Sequence, residues 1–123
     1  MHPPDKILIS RMDCLTAVGI TAAERAIKQR LSVDLEFPCD AAAASRSDSI
    51  QAAVDYDRVA QTVQSVCASR EFNLIETVAE EIAASVLGSF PISQVRVRVR
   101  KISPVPSPRV EFVYVEIVRP VSS

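Results

Sequence analysis

The sequence predicts an α+β fold in the order β-β-α-α-β-β: a four-stranded antiparallel sheet with two helices on one face. Three observations carry this. Residues 31–37 and 95–102 alternate apolar and polar side chains, the period of a half-buried strand. Residues 55–88 instead repeat apolar positions at helical spacing. Prolines and serines then punctuate the segments. Two hairpins flanking a helix pair bury their apolar surfaces by laying the helices on the sheet.

Residues 6–12 read as the first strand and residues 31–37 as the second, closed by Pro38. Between them residues 13–30 form a long connection containing Gly19, and connections of that length are often functional. Residues 40–51, rich in Ala and Ser, read as a second connection. Asp55 is the N-cap of the first helix, whose buried side holds Val59, Val63, Val66 and Cys67. Arg70-Glu71-Phe72 breaks that pattern. Asn73 caps the second helix, with Glu76 three residues on as its capping-box partner. Ile75, Val78, Ala79, Ile82 and Val86 form its apolar side, Gly88 its C-cap, and Pro91 stops it. Residues 95–102 are the third strand, residues 103–109 with three prolines a loop, and residues 110–118 the last strand. That last strand is apolar on both parities, so its second face needs a partner, and a four-stranded sheet has two open edges. Both points favour a symmetric homo-oligomer.

The chain has 123 residues, which fits one domain with a core over about residues 6–119. Lys plus Arg number 14 and Asp plus Glu 15, without the basic excess of a nucleic-acid-binding domain. No apolar run approaches the ~20 residues that span a bilayer. The N-terminus, Met-His-Pro-Pro-Asp-Lys, lacks the plan of a signal peptide, so the expected location is the cytoplasm. Cys14, Cys39 and Cys67 are odd in number and far apart, which argues against a disulfide framework or a zinc knuckle. His2, in the N-terminal tail, is the only histidine, so histidine-based triads and histidine-rich metal sites lose their central residue. Chemistry here falls to Glu, Asp, Lys, Tyr, Arg or hydroxyls.

Parity sorts the candidates. Val95, Val97 and Val99 share one face of their strand, and Arg96, Arg98 and Arg100 the other. The arginines read as a solvated or pore-lining charged face. Lys101 continues the valine face where the strand ends. It either snorkels out at the sheet edge or is partly desolvated, which lowers a lysine pKa toward acid–base use. Glu76 serves either as the capping-box residue or as an acceptor for a ligand with adjacent N–H donors. Glu24 is either a surface charge of the long connection or a site carboxylate. Tyr56 is either a partly buried aromatic with a wet hydroxyl or a functional phenol.

The order and spacing of these residues resemble the dihydroneopterin aldolase family. Gly19-Ile20-Thr21-Ala22-Ala23-Glu24, then Gln29 before an alternating strand, is similar to that family's Gly…Glu…Gln segment. Val54-Asp55-Tyr56 resembles its Tyr segment, and Leu74-Ile75-Glu76-Thr77-Val78-Ala79 its most specific motif. Val97-Arg98-Val99-Arg100-Lys101 is similar to its strand ending in a functional lysine. The resemblance implies the tunnelling fold, or T-fold, in which subunits set their sheets side by side in a barrel, as a homo-tetramer or a homo-octamer. It implies pterin sites between adjacent subunits. Glu76 and the backbone at Ile75 would bind the ring, Glu24 and Lys101 would meet at the reacting side chain, and Tyr56 would enter from the neighbour. The implied reaction is retro-aldol cleavage of dihydroneopterin to hydroxymethyl-dihydropterin and glycolaldehyde, in folate biosynthesis. The pterin ring accepts the electrons, so no cofactor, metal or Schiff base is implied.

Two departures stand out. The family lysine is usually followed directly by proline, whereas Ile102-Ser103 precede Pro104 here. Aromatic or acidic residues often precede the family glutamate, whereas Thr21-Ala22-Ala23 stand here. The first bears on the loop over the pterin and the second on substrate packing. The rival readings are an epimerase of dihydroneopterin or its triphosphate, and a non-catalytic pterin-binding oligomer. Metal-dependent T-fold enzymes fit poorly with a single tail histidine.

Overall fold

The computed structural model describes residues 5–102, 110 and 112–121. In chain order it contains β1 (Lys6–Val18), α1 (Ala22–Arg25), β2 (Gln29–Pro38), α2 (Ala41–Ser47) and a 3-10 turn (Ile50–Ala52). There follow α3 (Tyr56–Ala68), β3 (Glu71–Phe72), α4 (Ile75–Ser89), β4 (Val95–Lys101) and β5 (Tyr114–Arg119). The strands lie in the order β3-β1-β2-β4-β5. The four long strands pair antiparallel, as expected, and α3 and α4 are the two long helices. His2 and the expected proline loop at 103–109 lie outside the described residues.

The sheet differs from a four-stranded antiparallel one by the two-residue β3, which runs parallel to the end of β1 through Ala17–Glu71 and Val18–Phe72. The segment that breaks the helical pattern is thus a strand. Two residues are too few to show a period, and the pairing exists only because β1 reaches Val18. The expected first strand ended at residue 12 because the alternation changes phase. Ile7 and Ile9 pack against the core, and then Met12, Cys14, Thr16 and Val18 do. A bulge makes the change: the register with β2 shifts between Ile9 and Met12, and Arg11 takes a φ of 56°. The Arg11 N–H donates to Asp34 Oδ1 at 2.6 Å.

Three helix expectations also change. Residues 41–47 are helical rather than a plain connection. Alanine supplies the propensity, and Asp40 accepts from the Ala43 N–H, but no side chain is buried, so no apolar stripe signalled it. Helix α4 is capped at Leu74 with no side-chain hydrogen bond, so neither Asn73 nor Glu76 forms the expected capping box. The pairing of Phe72 with β1 keeps the chain extended up to the helix. Gly88 lies inside α4 rather than at its C-cap, which is Phe90, just before Pro91. The Asp55 cap is as expected, accepting from the Asp57 N–H. Strand β5 begins at Tyr114, later than expected.

Val59, Val63 and Cys67 of α3 and Val78, Ala79, Ile82, Ala83 and Val86 of α4 lie on one face of the sheet. They meet Cys14, Leu31, Val33, Leu35, Phe37, Val95, Val97 and Val99, all fully buried. Each fully buried Val, Leu, Ile or Phe among them contributes about 1.5–3 kcal/mol relative to exposure. Hydrogen bonding to Cys67, together with burial, pushes the Cys14 thiol up. All three cysteines are free thiols. The opposite face carries a charge ladder: Lys6–Glu36 at 2.9 Å, Arg96–Glu36 at 3.1 Å, Arg96–Glu116 at 3.4 Å, and Arg98–Glu116. The hydrogen bond from Lys6 holds the Glu36 carboxyl below its ordinary range.

Candidate active site

The connection between β1 and β2 is built around Glu24. Thr21 caps α1, its Oγ1 accepting from the Glu24 N–H at 3.2 Å. The Glu24 carboxylate answers: Oε1 accepts from the Thr21 N–H at 3.3 Å and from its hydroxyl at 3.1 Å. A capping box is expected from the sequence at Asn73 and Glu76; the one the structure forms is Thr21-x-x-Glu24. Gly19 makes room for it. A Cβ on Gly19 would lie 2.3 Å from Glu24 Cβ, inside any real contact. Gly19→Ala should therefore displace Glu24 and break the capping box of α1, which a crystal structure of the variant would show as loss of the Thr21–Glu24 hydrogen bonds. Gln29 closes the connection, its Nε2 donating to Val18 O at 2.7 Å.

Lys101 ends β4 opposite Leu31, which lies opposite Cys14, so the lysine stands on the helix-covered face and is half-buried. Arg96, Arg98 and Arg100 point to the other face, and the Arg100 guanidinium stacks 4.2 Å over the Phe112 ring. Glu76 is the second residue of α4, exposed and outside the cap, beside half-buried Ile75.

Topology brings these together. Strand β1 ends, β2 begins and β4 ends at one end of the sheet. Strand β3 lies against the last residues of β1, with the Gly19 N–H donating to Phe72 O at 3.0 Å, and leads directly into α4. Glu24, Lys101, Ile75 and Glu76 therefore share one end of the protomer. Tyr56 does not join them. Helix α3 delivers its C-terminus to β3, so its 13 residues carry Tyr56 to the opposite end, ~20 Å away. There Val54 lines a cleft with Ile7, Pro38 and Pro91, from the start of β1, the end of β2 and the end of α4.

The family described as dihydroneopterin aldolase matches residues 7–118, nearly the whole chain. The chain belongs to the dihydroneopterin aldolase family. A dihydroneopterin aldolase of Methylorubrum extorquens is 37% identical over 117 residues, covering 94% of this chain and 89% of that protein. The Escherichia coli dihydroneopterin aldolase, solved in complex with neopterin, superposes with a TM-score of 0.85 at 33% identity, covering 94% of this chain and 98% of that one. A dihydroneopterin aldolase from Burkholderia thailendensis bound to guanine gives 0.75 at 27% identity, covering 94% and 89%. The family and the α+β fold of the protomer implied by the sequence motifs are thus borne out.

One residue of this site escaped the sequence reading. Arg25 donates through Nη1 to Gly19 O at 3.0 Å and to Ile20 O at 2.9 Å, and its Nε lies 3.4 Å from Glu71 Oε1. An arginine beside a glutamate in a connection carries no pattern. Only the fold of the loop puts two carbonyls within its reach.

Proposed function

We propose that this chain catalyses the retro-aldol cleavage of dihydroneopterin to hydroxymethyl-dihydropterin and glycolaldehyde, as a homo-oligomer with its sites between subunits. Family membership makes it an aldehyde-lyase. The observation that carries the residue assignment is the separation just described. Lys101, Glu24 and Glu76 gather at one end, and Tyr56 is presented at the other, where it can serve an adjacent copy.

In this reading Glu76 accepts paired N–H donors from the pterin edge, charge-assisted on the acceptor side. The backbone at Ile75 meets the same ring. Lys101, partly withdrawn from water, takes the proton of the side-chain hydroxyl through water. The carbon–carbon bond then breaks, its electron pair passes into the ring, and glycolaldehyde leaves. Lys101 and Tyr56 return a proton to the carbon left on the ring. Glu24 orients the lysine. The ring is the electron sink, so the reaction asks for no cofactor, and the protein positions groups and moves protons.

Assembly has a physical basis. Strand β5 pairs only with β4 among the described residues, and β1 before Ala17 only with β2, so two edges are open. Leu8, Leu15, Phe112 and Tyr114 are large, exposed and apolar or aromatic on or beside these edge strands. A homo-tetramer or homo-octamer closes such edges in a barrel. No described helix is long and apolar enough to cross a membrane. The three free thiols suit a reducing compartment, the cytoplasm.

The test is turnover of dihydroneopterin by the purified protein, with hydroxymethyl-dihydropterin followed by fluorescence after oxidation. Two inactive variants, Lys101→Ala and Tyr56→Phe, should regain about a quarter of wild-type activity when unfolded and reassembled together, because statistical mixing restores about a quarter of shared sites. No regain in verified mixed oligomers would place Tyr56 and Lys101 of each site on the same protomer and overturn the sites between subunits.

A further inference from the structure

We propose that Arg25 is a positioning residue, whose guanidinium sets the geometry between Glu24 and Glu76 by clamping the loop that bears one to the strand that leads to the other. The inference rests on the roles given above to these two carboxylates. Helix α1 is a single turn with no buried side chain. A helix so short does not hold itself, and no apolar contact anchors it to the core. The capping box with Thr21 fixes Glu24 relative to α1 but leaves α1 free relative to the sheet.

Arg25 supplies that second link. Its Nη1 meets the carbonyls of Gly19 and Ile20, where the chain leaves β1, at 3.0 and 2.9 Å. Its Nε faces Glu71 of β3 at 3.4 Å. Glu71 precedes Phe72, whose carbonyl accepts from the Gly19 N–H, and Ile75-Glu76 follow shortly after. The side chain thus closes a ring through Gly19, Arg25, Glu71 and Phe72. An exposed ion pair alone contributes little. Here the Arg25 side chain is only 21% exposed, and its planar fork meets three oxygens at once. A lysine ammonium cannot reproduce that fork.

Steady-state kinetics with dihydroneopterin test this on Arg25→Ala, Arg25→Lys, Glu24→Gln and the Glu24→Gln/Arg25→Ala double variant, assayed well below each melting temperature. Arg25→Gln replaces Arg25→Ala if the latter does not fold. Arg25→Ala should lower kcat about tenfold and leave KM within about twofold, since the ring anchor stays while Glu24, the carboxylate that orients the lysine, drifts. Arg25→Lys should recover only part of the loss. In the Glu24→Gln background, Arg25→Ala should cost nothing more. Unchanged kcat in Arg25→Ala, or losses that multiply in the double variant, would overturn the proposal. Full activity of Glu24→Gln alone would overturn the role of Glu24 instead.

Discussion

Lys101→Ala is expected to lower kcat for dihydroneopterin by about 10²–10⁴-fold, the usual range for removing a general acid–base group. Lys101 is the one charged residue on the inner face of β4, after Val95, Val97 and Val99, and it is half-buried where the strand ends. Nothing in that position replaces its proton. Lys101→Arg should be almost as inactive, because a guanidinium keeps its proton and spreads its charge over a larger, planar group. Folding should survive both changes, since the lysine lies at the end of its strand and the hydrogen bond from the Ile102 N–H to Arg30 O, at 3.1 Å, is backbone only. Neopterin affinity, followed by fluorescence titration, should change little, which separates loss of chemistry from loss of binding. Turnover of Lys101→Ala within tenfold of the parent would remove Lys101 from proton transfer.

The second large effect belongs to binding. Glu76→Ala should weaken neopterin by about a hundredfold or more, because hydrogen bonds to a charged group contribute about 1.5–3 kcal/mol each and two are lost. Glu76→Gln should fall nearly as far, since its amide sets a donor against a donor. Stability separates the two possible duties of this residue. A capping-box glutamate would cost the helix its cap on removal, but α4 is capped at Leu74 without any side-chain bond. Only the weak interaction of the carboxylate with the helix N-terminus is lost, about 0.3–1 kcal/mol. The melting temperature should therefore move little while affinity collapses. The reverse pattern, affinity kept and stability lost, would return Glu76 to a structural duty.

The elements that were legible are those whose signal is local. Alternation at 31–37 and 95–102 announced β2 and β4 within a residue or two, because each side chain's burial follows from its own strand's pleat. Asp55 announced the start of α3 for the same reason, since a cap acts within one turn. The alternation of β1 broke at Arg11, where a bulge shifts the phase and makes one strand read as a short strand and a loop. The capping pattern fits both 21–24 and 73–76, and local chemistry does not choose between them. The choice is made by β3, which holds the chain extended up to α4.

Glu24, Lys101, Glu76 and Tyr56 were legible as residue types in a familiar order. Their sorting into three at one end and one at the other was not, because it follows from the direction in which each element crosses the sheet. Periodicity by itself determined the α+β class and the side of β4 on which Lys101 lies, and the resemblance of the motifs implied the family. Tertiary structure alone decided the fifth strand, the freeing of Glu76 from the cap, the clamp of Arg25 and the distance of Tyr56 from the other three. The physical reason is that a side-chain period is a property of neighbours in the chain. Each of these features instead depends on how segments distant in the chain are set against one another when the sheet and its helices assemble.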